Sequence, residues 1–309
     1  MKTKVFIDGK AGTTGLRIEE RLSCRDDIEI ISLPEDLRKD TEARREIINR
    51  ADIVFLCLPD KAAIEAVSLV ENPNTVIIDA STAHRTNPEF AYGFPELSPE
   101  FEEKIRNSKR IANPGCHASG FIALVYPLVK SGILPRSALL CAHSLTGYSG
   151  GGKGMIADYE AEEVNPLLKA PRQYGLTQSH KHLPEMVKVT GIDNAPLFCP
   201  IVGDFYSGME VTVPLFKSQI NGDIEDIKRV YKELYTGKLV FFKESADESG
   251  FISAGALSGK DSMQIEVYGE GERILLVARY DNLGKGASGA AVECLNIKLG
   301  LDPAFGLEI

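Results

Sequence analysis

Three features of the chain predict an α/β fold: a Rossmann-like doubly wound parallel sheet followed by a second, α+β catalytic domain. Short β-branched runs alternate with helical stretches in the first third, a glycine-rich turn follows the first run, and later strands crowd together with fewer helices between them. The runs are Val5-Phe6-Ile7, Ile28-Glu29-Ile30-Ile31, Ile53-Val54-Phe55-Leu56-Cys57 and Val76-Ile77-Ile78. Between them, residues 15–22, 41–49 and 61–70 read as helices. After Cys116 a helical run carries Phe121, Leu124, Val125 and Leu128, and a flexible glycine loop is expected over 147–154. Strands are expected over 139–144, 211–216, 239–242, 264–268 and 274–279. A closing helix over 286–299 would return to the first domain. The expected division is therefore 1–115 plus 285–309 for a cofactor-binding domain, and 116–284 for a catalytic and oligomerisation domain.

A chain of 309 residues, 43% hydrophobic and 26% charged, suits two ordinary globular cores. Its formal net charge of −9, with no basic run, argues against a nucleic-acid partner. An anionic small substrate would then need its own local Arg or Lys. Met1-Lys2-Thr3-Lys4 leads directly into the first apolar run, leaving no room for a signal peptide, so a cytoplasmic location is expected. No apolar stretch reaches the roughly 18 residues that a membrane-spanning helix needs. The cysteines at 24, 57, 116, 141, 199 and 294 form no CxxC pair, which speaks against a disulfide framework and a zinc site. Cys57, Cys141, Cys199 and Cys294 read as small buried hydrophobes, and no metal is expected.

Asp8-Gly9-Lys10-Ala11-Gly12-Thr13-Thr14-Gly15 follows the first strand and opens the first helix. Its spacing is GxxGxxG, and three glycines alone would also fit a plain tight turn. Its place at a helix N-terminus favours dinucleotide binding, because unpaired N–H groups there meet a pyrophosphate. Gly9, Gly12, Thr13, Thr14 and Gly15 are therefore candidate cofactor contacts. The end of the second strand, Ser32 to Lys39, offers acids that suit NAD (Glu35, Asp36) and cations that suit NADP. With the acids beyond Pro34, NADP is the expected cofactor, held by Ser32, Arg38 and Lys39.

Asn113-Pro114-Gly115-Cys116 places a cysteine at the start of an apolar helical run. A helix N-terminus favours a thiolate and aims N–H groups at an oxyanion, so Cys116 is the candidate nucleophile. Among the five histidines, His180 and His182 are concentrated in one segment. If that segment is a strand, both rings share one face, with Glu185 able to orient one of them. Two histidines without a defined third ligand make a weak metal site. Arg85, after the fourth strand, is the first choice for gripping a substrate anion, and Ser149 with Lys153 could wrap another.

These motifs together resemble the N-acetyl-gamma-glutamyl-phosphate reductase family, in its shorter type, over essentially the whole chain. The carrying elements are the glycine loop at 9–15, Ile78-Asp79-Ala80-Ser81-Thr82, Tyr92-Gly93-Phe94-Pro95-Glu96, Asn113-Pro114-Gly115-Cys116, Ser149-Gly150-Gly151-Gly152-Lys153, His180 to Glu185, and Lys285-Gly286-Ala287-Ser288-Gly289 preceded by Asn282. The resemblance implies a Cys116 thiolate, His180 as acid/base, and NADP contacts at Gly9, Gly12, Gly15 and Asn282; His182, from the same segment as His180, is a candidate substrate contact. It also implies a homodimer or homotetramer in arginine biosynthesis. His117, where the longer type of the family carries an aromatic residue, offers a rival histidine. Aspartate-semialdehyde dehydrogenase or a lysine-pathway analogue would share the chemistry, and a non-catalytic NADP-binding redox sensor is the alternative of another class.

Overall fold

The computed structural model describes residues 2–309, which divide into two compact units. One holds the chain up to Pro95, Pro99–Pro114 and Ala287–Leu307; the other holds Glu96–Ser98, Gly115–Gly286 and Glu308–Ile309. In chain order the first unit contains β1 (Thr3–Asp8), α1 (Thr13–Ser23), β2 (Ile28–Ile31), α2 (Thr41–Arg50), β3 (Ile53–Leu56), α3 (Asp60–Ser68), β4 (Val76–Asp79), β5 (Ala91–Tyr92), α4 (Pro99–Asn107) and β6 (Arg110–Ala112). The second contains α5 (Cys116–Lys130), β7 (Cys141–Gly147), α6 (Gly152–Tyr159), β8 (Arg172–Gln173), α7 (Leu183–Thr190), β9 (Leu197–Gly203), β10 (Met209–Phe216), α8 (Ile224–Leu234), β11 (Val240–Phe242), β12 (Met263–Glu270) and β13 (Arg273–Tyr280). The chain then rejoins the first unit in α9 (Gly289–Lys298).

The first sheet runs β2-β1-β3-β4-β6-β5 with every pairing parallel. Side chains alternate across it, so Val5, Ile7, Ile53, Phe55 and Ile78 face one side while Phe6, Val54, Leu56 and Ile77 face the other. Helices cover both sides, which is why these strands read as unbroken apolar runs. Ile18 and Leu22 of α1, Ile105 of α4 and Ala291, Val292 and Leu295 of α9 pack on the first side. Ile47 and Ile48 of α2 with Ala63 and Ala66 of α3 pack on the second.

The second sheet is mixed, in the order β11-β12-β13-β10-β7-β9-β8. Its buried helix α5 lies on β10 and β13. Contact is close at Gly120, where a Cβ would stand 2.7 Å from both Tyr280 Oη and Val211 Cγ2. Asp223 caps α8 by accepting the N–H groups of Glu225 and Asp226, and the Tyr235 hydroxyl just past that helix donates to the Ala123 carbonyl of α5 at 2.6 Å. Two local expectations are corrected. Residues 147–154 are no loop: a 3-10 turn over Tyr148–Gly151 runs into α6, carrying Lys153 in its first turn. His180 and His182 are not on a strand, because Pro184 in the first turn of α7 starts a helix there and makes His182 its N-cap.

Candidate active site

In the first unit, the strand order runs outward in both directions from β1 and β3. The crevice at their carboxyl ends is where open α/β sheets bind ligands. The turn from Gly9 to Gly12 fills that position. Gly9 has φ +85°, and a Cβ there would meet Cys57 O at 2.3 Å; at Gly15 it would meet Gly9 O at 2.7 Å. At Gly12 the nearest such contact is an ordinary 3.4 Å, so packing does not by itself demand that glycine, and the bare backbone there suits a phosphate. Gly12 caps α1 with no side-chain hydrogen bond, leaving Thr13 and Thr14 as the first helical residues. Beneath the turn, Asp8 and Arg44 form an ion pair of 2.9 Å, although burial pushes the Asp8 carboxyl up more than Arg44 lowers it.

A cavity of about 200 Å³ opens beside this turn, and Gly9, Lys10, Ser32, Leu33 and Arg38 are among its walls. Lys39 is not part of that wall. Glu35 and Asp36 lie in a 3-10 turn beyond β2, and Glu35 binds Arg38 at 3.0 Å on the surface. The available groups thus suit a dinucleotide whose ribose end meets Ser32 and a cation.

At the ends of β4 and β6, Asp79 organises its surroundings. It accepts hydrogen bonds from the Ser81 N–H and hydroxyl at 2.9 and 2.8 Å, and contacts His84 Nδ1 at 2.6 Å. Arg85 donates through Nε to Asn113 O (2.9 Å) and through Nη2 to Ala80 O (3.0 Å), which fixes the plane of its guanidinium.

In the second unit, half-buried Cys116 is the first residue of α5, with Gly115 as N-cap. Glu185 Oε1 accepts the Gly115 N–H at 2.8 Å, which places a carboxylate where the helix N-terminus is positive. The Tyr280 hydroxyl donates to Cys116 O at 2.6 Å and accepts the Gly120 N–H at 3.0 Å, clamping the first turn. Three imidazoles cluster nearby: His180 and His182 have ring centroids 4.7 Å apart, and each lies 5.7 Å from His117.

Their environments separate them. His117 is buried, with Nδ1 against Ser144 Oγ and Nε2 against Tyr174 Oη, both at 2.6 Å. Burial, then the neighbouring His180, pushes its pKa down to about 3. With both nitrogens engaged and the ring held neutral, His117 is a structural bridge. His180 is also displaced downward, by partial burial and then Lys181, so its resting ring is neutral. Its Nδ1 accepts the His182 N–H at 3.2 Å, so in the neutral ring Nε2 carries the proton.

The chain matches two family models: the NAD binding domain of semialdehyde dehydrogenases over residues 4–105, and their dimerisation domain over 116–282. It is 45% identical to N-acetyl-gamma-glutamyl-phosphate reductase 2 of Nostoc sp., covering 99% of both chains. It is 46% identical to the Brucella ovis N-acetyl-gamma-glutamyl-phosphate reductase, covering 97% of this chain and all of that one. The chain belongs to the N-acetyl-gamma-glutamyl-phosphate reductase family. Aspartate semialdehyde dehydrogenase II of Vibrio cholerae, complexed with ASA, shares the fold at a TM-score of 0.73 and 17% identity, over 97% of this chain and 99% of that one. The Candida albicans aspartate semialdehyde dehydrogenase with NADP superposes at 0.66 and 15%, over 96% and 98%.

Several motif residues of this reductase family chain already have internal partners. Ser149, buried, accepts from Asn282 Nδ2 at 3.0 Å, and Asn282 Oδ1 accepts the Gly208 N–H at 2.9 Å. Lys153 is exposed. Lys285 is buried and bound to Glu96 at 2.6 Å. Tyr174, Ser144 and Tyr280 escape sequence reading. Tyr280 alone had a usable cue, its place just before Asp281-Asn282, while Tyr174 and Ser144 stand in no motif. The four cysteines expected to be buried divide: Cys294 is buried, whereas Cys57, Cys141 and Cys199 are partly exposed. Burial, Asp79 and Asp8 push the Cys57 thiol up to about 12, so it stays protonated. Among the described residues no helix is long and apolar enough to cross a membrane.

Proposed function

We propose that the chain reduces N-acetyl-L-glutamyl 5-phosphate to N-acetyl-L-glutamate 5-semialdehyde through a thioester on Cys116, a step of arginine biosynthesis. The cofactor is NADP, and when bound as NADPH it supplies the hydride. Gly9, Gly12, Thr13, Thr14 and Gly15 would hold its pyrophosphate, Ser32, Arg38 and Lys39 its ribose phosphate, and Asn282 a further group. The observation that carries the reading is Cys116 at the N-terminus of α5 in the same unit as the His117, His180 and His182 cluster.

The Cys116 thiolate forms an S–C bond to the acyl carbon, and the C–O bond to phosphate breaks, the electron pair leaving with the phosphate. The helix terminus stabilises both the thiolate and the tetrahedral oxyanion. His180, through Nε2–H, hydrogen-bonds charge on that oxygen. With the hydride that bound NADPH would supply to the thioester carbon, the oxyanion held by His180 Nε2–H re-forms C=O as the S–C bond breaks, the aldehyde leaves, and the electron pair returns to sulfur as the Cys116 thiolate. Arg85, Ser149, Lys153 and His182 bind the carboxylate and phosphate of the substrate. Residues 1–115 with 285–309 form the cofactor domain and 116–284 the catalytic domain, in a homodimer or homotetramer located in the cytoplasm.

The test is NADPH-dependent turnover of the acyl phosphate, with the reverse reaction followed in NADP and phosphate. Cys116→Ser should abolish both reactions while leaving NADPH binding intact, because a serine hydroxyl has no comparable anionic population. Near-normal turnover in that variant would remove the thioester.

A further inference from the structure

We propose that Cys141, His143 and Cys199 form a binding site for a thiophilic divalent cation, with Zn2+ as the reference ion, on the face of the second sheet opposite α5. The parallel register of β7 with β9 sets His143 directly beside Cys199. Cys141, two residues earlier on β7, shares their face, whereas Ala142 and Ser144 point into the core. The two sulfurs and the imidazole nitrogen all lie within 4.8 Å of one another, and Cys141 Sγ is 3.8 Å from His143 Nε2.

Those separations approach a tetrahedral zinc shell. Bonds of about 2.3 Å to sulfur and 2.0–2.1 Å to nitrogen give edges of roughly 3.8 Å between sulfurs and 3.6 Å from sulfur to nitrogen. A small rotation of the thiols closes the shell and leaves the fourth position to a water or another exogenous ligand. Three protein ligands plus one open position is the exchangeable pattern of zinc coordination. The donor set is soft, which excludes magnesium and calcium. Binding follows a balanced exchange in which one divalent cation replaces two thiol protons, and no oxidant is involved. No sequence spacing reveals the site, because its ligands come from strands far apart in the chain.

Titration of the reduced full-length protein with Co2+ tests this. We expect one ion bound per chain with a sulfur-to-cobalt charge-transfer band and tetrahedral ligand-field absorption, both displaced by Zn2+ with release of protons. Cys141→Ser, His143→Ala and Cys199→Ser should each weaken binding at least tenfold, and Cys116→Ser should leave it unchanged. Retained NADPH-dependent turnover in the first three variants shows that they are folded. Absence of the charge-transfer band, or its loss in Cys116→Ser with retention in Cys141→Ser, would overturn the proposal.

Discussion

His117 and His180 have the same chemistry and neighbouring rings, yet their hydrogen bonds differ. Ser144 and Tyr174 use both nitrogens of His117, whereas among the described residues His180 is hydrogen-bonded through Nδ1, by the His182 N–H. His180→Asn should therefore lower turnover by roughly 100-fold, the usual share of a positioned acid/base. Steady-state kinetics of His180→Asn beside His117→Gln check the assignment, and a larger loss in His117→Gln would reverse it. His117 governs stability instead. Its ordinary value of 6.5 holds in the unfolded chain and about 3 in the fold, so the unfolded state binds more protons between those limits. Its contribution is whole above pH 6.5 and is lost as pH falls towards 3. At about 1.4 kcal/mol per pH unit the ceiling on that loss is about 5 kcal/mol. Urea midpoints measured from pH 7 to pH 4 should fall for the wild-type chain and fall less steeply for His117→Gln.

At the scale of elements, the turn between β1 and α1 depends on a backbone that only glycine adopts easily. Gly9→Ala combines a positive φ with a 2.3 Å approach to Cys57 O, so the turn must deform. The expected result is an NADPH KM raised at least tenfold with kcat at saturating cofactor changed far less; an unchanged KM would detach this turn from the cofactor. Such elements are also where sequence reading divides. The parallel strands are legible because burial on both faces makes Ile53-Val54-Phe55-Leu56 continuously apolar. β9 is not, since Pro200 interrupts its pattern and a proline speaks against a strand at that position. α8 carries a readable signal in Asp223 and Asp226. The HxH segment misleads, because alternation at 180 and 182 fits a strand until Pro184 is allowed to begin a helix. Cys116 is legible from its helix start, whereas Tyr174 and Ser144 reach it only through tertiary packing around His117, which no local pattern encodes.

For the whole molecule, the exposed apolar side chains of the second unit include Leu139, Leu197 and Phe216, at 74%, 57% and 61% exposure. Burying such residues is favourable by about 25 cal/mol per Å² of apolar surface, which makes self-association the expected state. Sedimentation equilibrium should return two or four times the 33.7 kDa chain mass, and a monomer at micromolar concentration would exclude both assemblies. A separate consequence follows from α9. Ala291, Val292 and Leu295 complete the apolar layer over β1, β3 and β4, yet they are synthesised long after β6 at Arg110–Ala112. At ribosomal rates of about 5–20 residues per second, the nascent first unit waits on the order of 10–40 s with that layer uncovered. During synthesis the second unit can finish β13 before the first unit receives its last helix, so the unit that starts first is closed last.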